Sequence, residues 1–353
     1  MLGIKKDIAY RIAFSSEYVD DALIERVMFK RTPRGVRCHI FGRKRGLDHT
    51  ATSPRIMTVW NYRHRTMREQ LVPFHFIPGN HGESFYQRIR TFPDSPLLQS
   101  LINSAVVSGN SYQIGIVLHV LGDTYAHQGF SGIINRHNRV KGLHVNWSSL
   151  RGFKDRLIAW YMIYVEWLFS RIFGRILPMY SHSHVGTIPD IASVQWKYKY
   201  DTGTSLLAQY EPSGEISNPQ RYTKAFEEIR QILLRFIKAH PEVQEKRPDF
   251  QDEAIFREQL IKPLSRREVT YAWKDFLLKH RLLDKTDEAV HYDPHAWIKS
   301  AFSNYRRKKY SQRIVHQAEP VTDFIKSDWY QYYRAAREYK EKYNILIDKY
   351  EIY

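Results

Sequence analysis

The sequence predicts an all-α protein, a multi-helix globular fold with long loops. Three observations carry this: apolar residues recur at helical spacing along most of the chain, one such stretch has readable ends, and strand-like alternation is scarce. With 43% apolar residues and 14% aromatics, there is ample material for a core and little likeness to a disordered chain.

The stretch with readable ends follows Asn218-Pro219, a capping residue and a proline at the first helical position. Tyr222, Phe226, Ile229, Leu233 and Phe236 then recur every three or four residues until His240-Pro241 stops the run. In chain order, Lys30 to Arg55 reads as a long basic loop broken by Pro33, Gly35, Gly42, Gly46 and Pro54, with a short hairpin at Val36 to Phe41. Helices are expected over Ser95 to Val107, Ser111 to Gln128 and Lys154 to Leu177. Ala192 to Asn218 reads as a packed connection because of Trp196, Tyr198 and Tyr200, so no domain boundary falls there. Beyond the Asn218 helix, further helices are expected over Glu253 to Ile261, Glu268 to His280, Pro294 to Lys308 and Asp323 to Tyr343. The expected organisation is one domain over 1–353, a metal-binding half at about 1–200 braced by helices at about 218–353.

Lysine and arginine number 54 against 37 aspartates and glutamates, a net charge of +17, which favours polyanionic partners through counterion release. Nucleic acid or an anionic phospholipid surface is the expected partner. Arg43-Lys44-Arg45 and Arg306-Arg307-Lys308-Lys309, the latter between Tyr305 and Tyr310, offer phosphate contacts beside stacking platforms suited to a single strand, or else form solvated faces. Trp160, Tyr161, Tyr164, Trp167, Phe169 and Phe173, interleaved with Arg156, Arg171 and Arg175, suit either a lipid interface or a core face. Cys38 is the only cysteine, so an intrachain disulfide and a thiolate metal cage are both excluded. Asp7, Arg11 and Glu17 interrupt the apolar residues near the start, which argues against a secretory signal and for a cytoplasmic protein. The most apolar run, Leu157 to Val165, falls far short of the roughly 20 residues of a spanning helix.

The sharpest motif runs from Leu118 to Phe130. His119, Asp123 and His127 fall within about 80° of one helical face, so two imidazoles and a carboxylate can converge on a cation. A plain helix with two half-buried histidines bonded to an acid would carry the same residues. Other segments add to it. His75 lies among aromatics in Pro73-Phe74-His75-Phe76, where an unpaired ring would be costly. His182 and His184 follow an apolar stretch and precede Asp190, and Asp20-Asp21 pairs two carboxylates that a cation would reconcile. Imidazole mixed with carboxylate suits zinc, manganese or iron. Gly115 and Gly122 are expected to leave room beside the stripe for another backbone or a bulky site, and Tyr125 and Gln128 to orient ligands. Asp48, His49, His137 and His144 are secondary candidates.

Four blocks carry a resemblance: Ser16 to Ala22, Pro73 to Gly79, Leu118 to Gly132 and His184 to Asp190. Together they resemble a bacterial family known only as a domain of unknown function. The His119-x-x-x-Asp123 helix is also remotely similar to the metal-bridging helix of the zinc-dependent phospholipases C and single-strand-specific nucleases. That likeness implies an all-α fold and zinc-dependent cleavage of phosphodiester bonds. It also implies Asp123 bridging two ions, His119 on one, His127 and His184 on another, and Asp20 or Asp21 with His75 completing the set; Asp123 and His127 are the expected catalytic residues. Two departures stand out: Asp123 and His127 are closer in sequence than in those phospholipases, and Asp190 lies further from His184 than one helical turn. The resemblance also implies a further histidine-bearing segment ahead of the Tyr18-Val19-Asp20-Asp21 block, which this chain is expected to start too late to include.

The expected activity is metal-dependent hydrolysis of a phosphodiester, nucleic acid ahead of phospholipid, with water acidified on zinc to a pKa of about 7 as nucleophile. No Gly-x-Ser-x-Gly elbow, phosphate-cradling loop or dinucleotide fingerprint competes with it. The alternative class is a non-catalytic protein stabilised by metal that binds nucleic acid or a partner.

Overall fold

The computed structural model describes residues 2–22, 27–29, 46–47, 52–53, 67–146, 156, 160, 164, 182, 185–201, 205–212, 214–245, 253–262, 266–283, 292–303, 315–318 and 320–352. The fold is mostly helical. Its helices are α1 (Lys6–Asp21), α2 (Val72–His75), α3 (Phe85–Arg88), α4 (Pro96–Ser108), α5 (Ser111–Ala126), α6 (Asn218–Ala239), α7 (Glu253–Ile261), α8 (Arg266–Lys279), α9 (Ala296–Ala301) and α10 (Asp328–Lys349). Short strands are β1 (Val27–Phe29), β2 (Gly46–Leu47), β3 (Val140–Val145), β4 (Gln195–Tyr200), β5 (Ile216–Ser217) and β6 (Val315–Ala318). The order β3-β4-β5 forms an antiparallel sheet, and β2-β1-β6 a second, mixed one.

Helix α5 is the central element. Ile114, Ile116, Val117, Val120 and Leu121 are all fully buried, and a helix apolar nearly all round belongs inside a core. Its start is fixed by the Asn110 side chain, which accepts from the Tyr112 and Gln113 amides. Upstream, Ser95 caps α4, Pro96 opens it, and Gly109 in the left-handed region (φ 70°) ends it. Helices α1, α4, α6 and α10 surround α5.

The contact with α1 is the closest. A Cβ on Gly115 would lie 2.5 Å from the Ile12 carbonyl oxygen, so only glycine lets the two backbones meet. Ser15 and Ile12 lie beside Gly115, while Asp20 reaches His119 further along, so α1 and α5 run parallel. Gly122 does not share this role: among the described residues, a Cβ there meets nothing within 4 Å.

The sheet refines the all-α expectation. In β4, Trp196, Tyr198 and Tyr200 are buried while Lys197 and Lys199 are exposed, the period-two pattern of a strand with one face on a core. That face packs with Phe76, Phe130 and Val185 into a second apolar cluster. Of the helix expected from Pro294 to Lys308, the described residues hold α9, after which Phe302 is extended; residues 304–308 lie outside them. The Val36 to Phe41 hairpin, most of the Lys30 to Arg55 loop, most of Lys154 to Leu177, and Arg43, Lys44, Arg45, Arg306, Arg307, Lys308 and Lys309 lie outside the described residues. No helix of the described residues is long and apolar enough to cross a membrane.

Candidate metal centre

Two groups of potential ligands meet at the C-terminal end of α5. Asp20, His75 and His119 form one, and His127, His182 and Asp190 the other, each with its ligand atoms within 4.8 Å of one another. The Asp123 carboxylate lies between them: Oδ2 is 2.9 Å from His75 Nδ1, 3.3 Å from His119 Nε2 and 4.0 Å from His127 Nδ1. Asp20 Oδ1 stands 3.7 Å from His75 Nδ1 and 3.8 Å from His119 Nε2, and His127 Nε2 is 3.3 Å from Asp190 Oδ1.

Each side chain is held by local structure. His119 and Asp123 are one turn apart on α5, and His127 caps its end. Asp20 lies in the last turn of α1, and the fully buried Thr52 ties that helix end down through Oγ1 to the Val19 carbonyl (2.7 Å) and its amide to the Ala22 carbonyl (3.0 Å). The Thr52 carbonyl in turn accepts from His75 Nε2 (3.1 Å), and the Tyr339 hydroxyl from α10 donates to the Pro73 carbonyl (2.7 Å). Asp190 ends a turn, Ile188–Asp190, that Asn218 grips through Nδ2 to the carbonyls of Ile188 (2.8 Å) and Ile191 (2.9 Å). Trp196 Nε1 donates to Asn218 Oδ1 (2.9 Å), completing the bonding of a fully buried amide. The rings of His127, Phe76 and His182 form a mutually packed triad, with His127 4.5 Å from Phe76, 4.6 Å from His182, and those two 5.9 Å apart.

The histidine bonding fits a cation. A carbonyl only accepts, so His75 Nε2 toward Thr52, His127 Nδ1 toward His75 (3.3 Å) and His182 Nδ1 toward Gly186 (2.8 Å) carry the hydrogens. In neutral rings the opposite nitrogens then hold lone pairs, and those of His75 and His127 face the carboxylates of Asp123 and Asp190. Lone pair against carboxylate is repulsive unless a proton or a metal ion lies between them. A backbone carbonyl on one ring nitrogen is also what fixes metal-ligating histidines in place. Both α1 and α5 end here, adding the partial negative charge of their C-termini.

Without a metal, protons take that role. Burial lowers the pKa of His119, but Asp123, with help from Asp20 and Glu17, overrides it and raises it to about 9. Burial opposes His127 likewise, and Asp123 and Asp190 raise it to about 9. Burial works against ionisation of Asp123 and Asp190, yet the histidines hold both below the ordinary carboxylate value. His182 is lowered, by burial and by the charge on His127. The stabilisation from the two raised histidines is therefore complete below their ordinary value of 6.5 and is lost as pH climbs through about 9. A metal ion must displace those protons. Its uptake is expected to release about one proton each from His119 and His127 and to strengthen as pH rises toward 9, which titration calorimetry in buffers of different ionisation enthalpy measures.

Of the residues singled out in the sequence, Asp20, His75, His119, Asp123, His127 and Asp190 come together. Asp21 does not: its Oδ2 accepts from the Tyr292 hydroxyl (2.7 Å). Neighbours on a helix point about 100° apart, so only one of Asp20 and Asp21 can face α5. His184 lies outside the described residues; among those described, His182 joins His127 in the second group. Tyr125 donates to Glu228 (2.8 Å) and orients that acid instead of a ligand. Gln128 is half-buried; His137 is buried and His144 exposed, both outside the two groups; Asp48 and His49 are not described. Thr52 and Asn218 are the ligand-positioning residues that sequence reasoning passed over, whereas His182, noted there beside His184, joins the second group among the described residues.

A mostly helical protein with a histidine and aspartate cluster at the end of its central helix is the class that fold and site define. The chain belongs to DUF6765, a family of unknown function whose family model matches residues 1–345. Among curated proteins and among solved structures, nothing matches it.

Proposed function

We propose that this protein is a metal-dependent phosphodiesterase acting on nucleic acid in preference to phospholipid, with zinc, or else manganese or iron, held by Asp20, His75, His119, Asp123, His127, His182 and Asp190. The observation that carries the reading is the Asp123 carboxylate set between two separate groups, each with two imidazoles and a further carboxylate. Asp123 can serve an ion directly beside His75 and His119, and it meets the second group through His127 Nδ1, the nitrogen turned from Asp190, so that it links the two groups through that ring. The remote likeness of the α5 motif to zinc phospholipases C and single-strand-specific nucleases supports the same chemistry, and the net charge of +17 favours a polyanionic substrate.

Bound divalent ions supply Lewis acidity toward phosphoryl oxygens and acidify water near neutral pH. The chain's own part is to arrange and tune. Asp123 fixes the spacing of the two groups, the carbonyls of Thr52, His75 and Gly186 set which nitrogen of each ring faces inward, and Phe76 keeps the His127 ring from turning. Asp20 and Asp190, with side chains 63% and 46% exposed, leave each group open on one side. Openness favours catalysis over a purely structural site, whose ligands close around the ion. Single-stranded DNA, RNA and phosphatidyl substrates are to be incubated with metal-loaded protein. Cleavage that a chelator stops is expected, fastest on nucleic acid; binding without turnover on every substrate would leave a non-catalytic, metal-stabilised binding protein.

A further inference from the structure

The two glycines of α5 divide the groove beside it into a filled and an open part. Gly115 and Gly122 are seven residues apart, so they point within about 20° of the same direction, on the His119 side of the ligand stripe. Gly115 is covered by the α1 backbone at Ile12 and Ser15. Helix α1 runs parallel to α5 and ends at Asp21, where Ala22 leaves helical geometry (φ −75°, ψ 74°), just after Asp20 has reached His119. Gly122 lies about 4.5 Å beyond His119 along α5, level with the last turn of α1 in the parallel register that Gly115 sets. There, among the described residues, a Cβ would meet nothing within 4 Å, although Gly122 precedes Asp123 directly. Among the described residues, the space left uncovered thus lies against the backbone between His119 and Asp123, on the side of the helix that faces α1 and the exposed carboxylate of Asp20.

We infer that this gap is the route by which a phosphoryl group reaches the first metal group, and that the missing side chain of Gly122 sets how bulky a substrate can be. The inference rests on the phosphodiesterase reading and adds to it the face from which substrate arrives. Neither ligand nor fold needs glycine at this position: α5 is helical there, and alanine would favour the helix by about 1 kcal/mol. A large side chain would occupy the gap without removing any group that holds the ions.

The test uses the full chain loaded with cobalt, whose visible absorption reports on its coordination, titrated with inorganic phosphate. Wild type and Gly122→Ala are expected to take up the same metal equivalents and to show the same phosphate-dependent spectral change. Gly122→Phe is expected to keep its metal and to bind phosphate about 10-fold more weakly or not at all, because the ring stands in the path. Should the phenylalanine variant lose metal or fail to fold, Gly122→Leu decides by the same criterion. Unchanged phosphate affinity in the bulky variants, or a loaded wild type whose spectrum ignores phosphate, overturns the inference. Phosphate binding that obeys this pattern without hydrolysis of any diester would sink the phosphodiesterase reading alone.

Discussion

Asp123→Ala is expected to have the largest effect of any single substitution: both metal groups fail, and the metal-free protein is itself destabilised. Among the described residues the carboxylate is the one anion in reach of His75, His119 and His127 together, so its loss removes the group that links the two sets. It is also the main reason that His119 and His127 hold protons at neutral pH. Without it their pKa values fall, and rings that were charged and paired become buried and poorly bonded. Removing one member of a buried ionic network costs about 3–5 kcal/mol. Asp123→Asn keeps the size of the side chain and loses only its charge, so metal content should fall just as far while packing survives. Elemental analysis read beside denaturant melts at pH 7 checks both. Full metal occupancy in the alanine variant would show that the two groups do not depend on a shared carboxylate.

The second large effect is expected from Gly115→Ala, at a residue that touches no ligand. The added Cβ would be driven against the Ser15 side chain and the Ile12 carbonyl, and backbone cannot swing aside as a flexible side chain can. Overpacking of this kind costs about 1–3 kcal/mol. The strain is relieved only if α1 backs away from α5, and α1 carries Asp20, so weakened metal binding should accompany the lost stability. Gly122→Ala is the matched control, expected to be neutral or stabilising by up to about 1 kcal/mol. Chemical melts of the two variants with and without metal measure the difference, and equal effects at the two glycines would refute the parallel α1 and α5 packing.

Much of this arrangement can be read from periodicity. The stripe of His119, Asp123 and His127 and the apolar remainder of α5 follow from the 3.6-residue repeat, and Ser95, Asn110 and Gly109 mark helix ends by their chemistry. Helix α1 is harder to see, since Lys5 offers no side-chain cap and Asp7, Arg11 and Glu17 interrupt its apolar face. Its stability comes from the fit to Gly115, a tertiary contact that no local pattern announces. The same contact sets the rotation of α1, and so decides between Asp20 and Asp21. Strand β4 did announce itself, through Trp196, Tyr198 and Tyr200 alternating with lysines, although six residues between turns also pass for a packed connection. At Asn218-Pro219 the cap is Ser217, and Asn218 spends its amide on the Asp190 turn some thirty positions away. His182 is oriented by the Gly186 carbonyl, which depends on a turn that spacing alone does not specify.

The most direct test of the account is the metal content of the purified protein before and after chelation, read together with its melting temperature. About two transition ions per chain are predicted, removed by chelation with a fall in melting temperature and restored by zinc or manganese. Protein that holds no stoichiometric ion, and melts at the same temperature with or without either metal, would contradict it.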